Sequence, residues 1–291
     1  MKLKKFKARL GDGLWLGVPA ETYHKHPGCL SSTGVRTLLE SPLTYHREAT
    51  GLIRREPTDA MTYGTVAHSA ILEQRFDTFH IQPAHCVDGS DWHNSKKECK
   101  TWNEAHADKP VLSAKQAAEL SEASNYIRNH PKAGRLLKGG HAEVSAIAAG
   151  NKARFDYLIL DGDSAKIVDL KTCADASTAA FGKEIMNRGY HIQAAWYRRV
   201  LQLLGAKTVQ FFFVALQKGP LPLVNVWELT TPAMDLGAME CNRAMDLKLK
   251  CETNKEWPEW SDYDGSNEVK TIDVPAWAYP EPELTGAEEL P

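Results

Sequence analysis

Ala165-Lys-Ile-Val-Asp169-Leu170-Lys171-Thr172 is the stretch whose reading decides this chain. Its short apolar run predicts a buried strand. Side chains alternate faces along a strand, so Asp169 and Lys171 project to the same side. A carboxylate beside an ammonium at a strand end can hold a metal ion and a water together. That pairing suits metal-assisted hydrolysis of a phosphodiester. The tripeptide alone is common by chance, so its meaning comes from its neighbours.

Upstream, residues 142–149 and 153–160 are short and apolar, with Gly-Asn between them, and Asp-Gly-Asp separates the second from 165–172. The three runs predict an antiparallel meander. Residues 178–187 and 190–204 predict helices, 208–216 and 223–230 two further strands, and 232–250 a last helix. The front is helical. Ser31 or Ser32 caps a helix ending before Pro42, residues 62–74 and 92–107 predict two more, and Ser113-x-x-Gln116 is a capping box opening a helix to about Asn129. The order predicts an α/β (α+β) fold with a central mixed β-sheet flanked by helices. One domain is expected over 1–251, with a helical front at 31–140 and a sheet core at 141–251. An acidic, Pro-containing tail follows at 252–291.

Acidic, basic and imidazole positions line up on this layout. Glu143 opens the first core strand, Asp156 lies on the second, and Asp169 and Lys171 on the third. Glu143, Asp156 and Asp169 are spaced thirteen residues apart, as neighbouring strands with tight turns require. Mg²⁺ prefers carboxylate, carbonyl and water oxygens. Asp156 and Asp169 are candidate ligands, with Glu143 and the backbone carbonyl of Leu170 as further ones. His68, on the 62–74 helix, can ligate from the helical side. Lys171 can orient the attacking water or stabilise charge developing on the phosphorus. Arg154 shares a face with Asp156 and can touch a phosphate. Gln193 and Tyr197, four apart on a helix, share a face. Together they can grip a phosphate or hold Lys171 and its water.

Composition sets the remaining bounds. No stretch approaches the ~20 apolar residues of a membrane span. The basic N-terminus, Met1 to Arg9, has no apolar signal core behind it, so the expected location is the cytoplasm without membrane association. The six cysteines (29, 86, 99, 173, 241 and 251) form no close pair in sequence. That spacing argues against zinc ribbons and iron–sulfur clusters and predicts reduced thiols. The net charge of −2 divides into +7 over residues 1–251 and −9 over 252–291. A basic body can attract a polyanion. Lys2 to Arg9, Arg54-Arg55, Lys96-Lys97 with Lys100, and Arg198-Arg199 are the basic spots.

Taken together, these residues resemble the PD-(D/E)xK nuclease superfamily, and within it the exonuclease VIII (RecE-like) branch. The matching segments are Gly64-Thr-Val-Ala-His68, His141-Ala-Glu143, Arg154-Phe-Asp156, Val168-Asp-Leu-Lys-Thr172 and Tyr190-His-Ile-Gln-Ala-Ala-Trp-Tyr197. Glu21-Thr-Tyr-His24 with Ser41-Pro42, Glu256-Trp-Pro258 and Pro275-Ala-Trp277 flank them. The resemblance implies a restriction-endonuclease-like core. It implies a catalytic set of His68, Asp156, Asp169 and Lys171, with Glu143, Gln193 and Tyr197 supporting. It further implies Mg²⁺ as the metal, with Mn²⁺ as a substitute, and 5′-to-3′ degradation of linear double-stranded DNA from an end. A ring-shaped homo-oligomer and a single-strand annealing partner in recombination are also implied. Related branches carry four cysteines for an iron–sulfur cluster; here Cys241 and Cys251 stand alone downstream, so no cluster is expected. Arg154, Arg198 and Arg199 are the expected DNA contacts. Two other readings compete: a same-fold structure-specific endonuclease, and a non-enzymatic scaffold binding DNA ends.

Overall fold

In a computed structural model of the chain, describing residues 1–54, 56–261, 269, 271–275 and 278–279, the elements follow the predicted order. Strands β1 (Leu3–Lys5) and β2 (Gly13–Leu16) lead into helices α1 (Ala20–His24), α2 (Ser32–Glu40), α3 (Pro42–Ala49) and α4 (Asp59–Leu72). An excursion follows with β3 (His80–Gln82), α5 (Lys97–Ala105) and β4 (Val111–Ser113). Helices α6 (Ala114–Asn129) and α7 (Ala133–Leu136) return the chain to the sheet. The core is β5 (His141–Ala148), β6 (Asn151–Asp161), β7 (Ser164–Cys173), α8 (Thr178–Asn187), α9 (Tyr190–Leu203), β8 (Thr208–Gln217), β9 (Leu223–Glu228) and α10 (Thr231–Asn254).

The sheet has seven strands in the order β1-β2-β5-β6-β7-β8-β9. β5, β6 and β7 form the antiparallel meander that their tight turns demand. β7 and β8 are parallel, and such a pair needs a long crossover, which α8 and α9 supply. Helices cover both faces. On one, Ile167, Phe155 and Phe213 pack with Trp196 and Val200 of α9. On the other, Val168, Leu170 and Val214 pack with Val66 and Ala70 of α4 and Leu120 of α6. This is the mixed α/β architecture expected from the sequence.

Local chemistry sets the element ends. The Ser113 hydroxyl accepts from Gln116 N–H, while the Gln116 side chain accepts from Ser113 N–H, completing the capping box of α6. Pro42 ends α2 as expected but also opens α3, because a proline at the first helical position gives up only an N–H that would be orphaned anyway. Of the 92–107 helix, only Lys97–Ala105 forms.

The compact unit spans Met1–Ser261 rather than ending at 251. Leu43 N–H donates to the Pro258 carbonyl, and Trp257 stacks on His46 with centroids 4.5 Å apart. In the second unit, Asp262–Pro291, the Tyr279 hydroxyl donates to Asp273. Arg55, Trp277 and most of the acidic tail lie outside the described residues. Among the described residues, no helix is long and apolar enough to cross a membrane.

Candidate active site

The ladder between β6 and β7 ends at Tyr157↔Val168, while β7 stays paired to β8 as far as Cys173↔Gln217. Asp169, Leu170 and Lys171 therefore line an open fork. Backbone groups bared at such an edge need partners. Two side chains supply them: Leu170 N–H donates to Asp156 Oδ2 at 2.8 Å, and the Leu170 carbonyl accepts from His68 Nε2 at 2.9 Å. That bond sets the neutral ring's tautomer, leaving the Nδ1 lone pair 3.6 Å from Asp156 Oδ1 and 4.0 Å from Glu143 Oε1.

Glu143 reaches this point through an unusual backbone. Its φ is +53°, in the left-handed region that costs a non-glycine residue of order 1–3 kcal/mol. Val144 and its cross-strand partner Phe155 pack toward α9, whereas Ala142 and its partner Tyr157 pack toward α4. Unbroken alternation would keep residues two apart on one face. The phase break at Glu143 and Asp156 brings both carboxylates to the cleft.

Ligand atoms of His68, Glu143 and Asp156 all lie within 4.8 Å of one another. Their imidazole and oxygen donors fit a divalent cation. Asp169 stands outside this trio. It is fully buried; its Oδ1 accepts from Gln193 Nε2 at 2.8 Å, and its Oδ2 faces Lys171 Nζ at 2.5 Å. Beyond that ion pair Oδ2 has no further partner among the described residues. An acceptor left open in this way also fits a cation beside it.

Gln193 ties the pair together. Its Oε1 accepts from Lys171 Nζ at 3.0 Å, so one amide holds both Asp169 and Lys171. The Lys171 ammonium also lies 4.6 Å from the centre of the Tyr190 ring. Sequence reasoning placed Tyr190 in a motif but gave it no role; its position three residues before Gln193 on α9 was the available signal. Tyr197 is buried, its ring edge-on to Phe155 at 5.2 Å.

Electrostatics at the fork are strained. Burial pushes the Asp156 carboxyl up to about 7, with the neighbouring Asp169 charge adding to it and His68 and Lys171 opposing. Burial works against the Lys171 ammonium, but Asp169 and Asp156 outweigh it and hold the group above the usual lysine range. Burial likewise pushes the Tyr197 phenol well above its ordinary value.

A cleft of about 1640 Å³ opens from the fork. Arg154 lies at its inner end, its Nε 2.5 Å from Glu143 Oε2 and its Nη1 donating to the Val18 carbonyl. Lys25, Arg54, Lys248 and Lys255 also line it, with Lys25 paired to Glu21 and Lys248 to Glu252, and Glu48 and Glu73 line it as well. Arg198 and Arg199, expected DNA contacts, do not line it, and Arg199 donates to Asn242 on α10 at 3.3 Å. Sequence reasoning also missed Lys152. Its ammonium donates to the carbonyls of Tyr23, His24 and His26 and fastens the end of α1 beside the cleft.

A mixed sheet carrying Asp156 and Asp169-x-Lys171 at a strand fork defines the PD-(D/E)xK nuclease superfamily, and the chain is a member. More particularly, it belongs to the family described as "PDDEXK-like domain of unknown function (DUF3799)", which matches residues 31–264. No curated protein matches it. Among solved structures it is similar to a crystal structure described as a "putative exonuclease" from Eubacterium rectale. The TM-score is 0.54 at 16% identity, covering 89% of this chain and 97% of that one. At that identity the likeness is one of fold.

Proposed function

We propose that the protein is a Mg²⁺-dependent exodeoxyribonuclease that degrades linear double-stranded DNA from an end. The observation that carries this reading is the fork itself. His68, Glu143 and Asp156 converge on one point, and Gln193 holds Asp169 and Lys171 beside it. The description of the Eubacterium rectale protein agrees with a nuclease reading.

His68, Glu143, Asp156 and Asp169 would hold the metal. Bound there, it would lower the pKa of a water and offset charge growing on the phosphate. Asp156, pushed up to about 7, must give up its proton for the site to load. Lys171 stays an ammonium, so it orients the attacking oxygen and stabilises the developing charge rather than acting as a base. Gln193 fixes the ammonium in place. Arg154, Arg54 and Lys255 of the cleft contact the phosphodiester backbone, which gives salt-sensitive binding without sequence preference.

The finer reading follows the RecE-like resemblance: 5′-to-3′ polarity leaving 3′ single strands, a ring-shaped homo-oligomer, a single-strand annealing partner and action in the cytoplasm. The test is to incubate linear duplex and covalently closed circular DNA with the protein and Mg²⁺, and again with Mn²⁺. Loss of the linear form alone, abolished in Lys171→Ala, supports the proposal. Cutting of the circle establishes the endonuclease instead. Binding to ends without metal-stimulated hydrolysis leaves the scaffold reading.

A further inference from the structure

Outside the fork, Cys86, Glu98 and Cys99 bring three metal-ligating atoms within 4.8 Å of one another. They sit in the excursion around α5. Throughout residues 80–111 the buried positions are these two cysteines alone. A segment of that length without an apolar core needs a staple to hold its shape. Thirteen residues of sequence separate the two thiols, which is why spacing alone did not pair them.

The local backbone presents both sulfurs. Cys86 N–H donates to the Ser90 carbonyl at 2.8 Å and Gly89 N–H to the Cys86 carbonyl at 3.0 Å, so Cys86 is the first residue of a tight turn. Gly89 supplies the left-handed φ of +80° that this turn needs. Cys99 is the third residue of α5, with Glu98 just before it. The sulfurs are 3.5 Å apart. Two thiolates on one tetrahedral Zn²⁺, at about 2.3 Å each, stand about 3.8 Å apart, whereas a disulfide draws them to about 2.05 Å.

Charge completes the case. Lys96 Nζ lies 3.5 Å from Cys86 Sγ and donates to the Asp91 carbonyl at 3.0 Å and to Ser90 Oγ. Two thiolates and a carboxylate around a divalent ion carry one excess negative charge, and the Lys96 ammonium neutralises it. Such a partner beside a thiolate ligand supports the metal from the next layer out. Lys96 is thereby spent on this cluster rather than on DNA.

We propose that Cys86, Cys99 and Glu98 bind Zn²⁺, with water in the fourth position, and that this ion staples the excursion. The site is separate from the Mg²⁺ fork. Reduced protein, stripped with chelator, is titrated with Co²⁺. One equivalent per chain is expected to raise a thiolate-to-cobalt charge-transfer band and the intense visible bands of four-coordinate cobalt, both bleached by Zn²⁺. Cobalt at the carboxylate-rich fork gives no thiolate band, so failure there and failure here are distinguishable. Cys86→Ser and Cys99→Ser are expected to lose the band, and Glu98→Gln to bind about tenfold more weakly or worse while keeping the fold. Absence of the band in reduced wild type overturns the proposal, as does its survival in both cysteine variants. Air-purified protein that is metal-free and has lost both thiols shows a disulfide instead and overturns it equally.

Discussion

Replacing Asp156 by Asn is expected to stabilise the metal-free protein while destroying its activity. A carboxyl pushed up to about 7 by burial is favoured by the fold in its neutral form. The sign follows. A group whose folded pKa lies above its unfolded value contributes stability that is fully present below the unfolded value. That contribution is lost as pH rises through the folded one. Between an unfolded value of about 3.9 and a folded value near 7, about three pH units at roughly 1.4 kcal/mol each give an upper limit of about 4 kcal/mol. The Asp156 side chain is 13% exposed and can relax toward solvent, so about half of that, ~2 kcal/mol, is a fair expectation at pH 8. Asn keeps an oxygen for Leu170 N–H and cannot ionise. At roughly 2–4 °C per kcal/mol for a domain of this class, Asp156→Asn is expected to melt about 4–8 °C above wild type at pH 8 in chelator. The difference should shrink to about a third of that at pH 5 and close only below about pH 4, the unfolded value. Excess Mg²⁺ should raise the melting point of the wild type and leave the variant unmoved. A variant that melts at or below wild type at pH 8, or a gap independent of pH, refutes the reasoning.

Three further outcomes follow from the same geometry. Lys171→Ala is expected to reduce turnover of linear DNA by at least about 10²-fold by removing the fixed positive charge. It should also cost about 3–5 kcal/mol of folding stability at pH 8, since Asp169 is left buried and unpaired; denaturant melts read this. Gln193→Leu leaves Asp169 Oδ1 without its donor and Lys171 Nζ with Asp169 alone, and is expected to cost about 1–3 kcal/mol, measured by chemical denaturation, with a fall in kcat. Glu143→Gly should be more stable than Glu143→Ala by about 1 kcal/mol, the reverse of the usual order in a strand. Both lose the carboxylate, so the comparison isolates the φ of +53°, and equal melting points would argue against backbone strain there.

Much of this was legible in the chain because the signals are local and periodic. Three apolar runs with tight turns could only pair as a meander, and period two put Asp169 and Lys171 on one face. The four-residue spacing of Gln193 and Tyr197 named a shared helix face, and one of the two offered functions, holding Lys171, is what the Gln193 amide does. What escaped depends on departures from those periods. No residue type announces a left-handed glutamate, so the phase break at Glu143 was invisible. Arg198 and Arg199 looked like free charge, but helix α10 packs against α9 and takes up Arg199. The tail boundary was placed at 251 by composition, whereas Trp257 and Pro258 are tied back to α3 by contacts that composition does not encode.

The fork also accounts for why one site concentrates so much unfavourable electrostatics. Ending the β6–β7 ladder early exposes Leu170's backbone groups, and the residues that satisfy them, Asp156 and His68, are also proposed cation ligands. The repair and the proposed function therefore use the same two side chains through different atoms: Asp156 Oδ2 and His68 Nε2 satisfy the backbone, while Asp156 Oδ1 and His68 Nδ1 face each other at 3.6 Å. With Asp156 protonated, the carboxylates of Glu143 and Asp169 balance Arg154 and Lys171, and the fork is electrically neutral. Deprotonation leaves one excess negative charge, and a divalent ion then reverses its sign, turning a site that repels phosphate into one that attracts it. Proton and metal thus compete for one carboxylate: metal-free instability should accrue from about pH 4 up to about 7, and metal and substrate affinity should rise on the approach to 7 and level off above it.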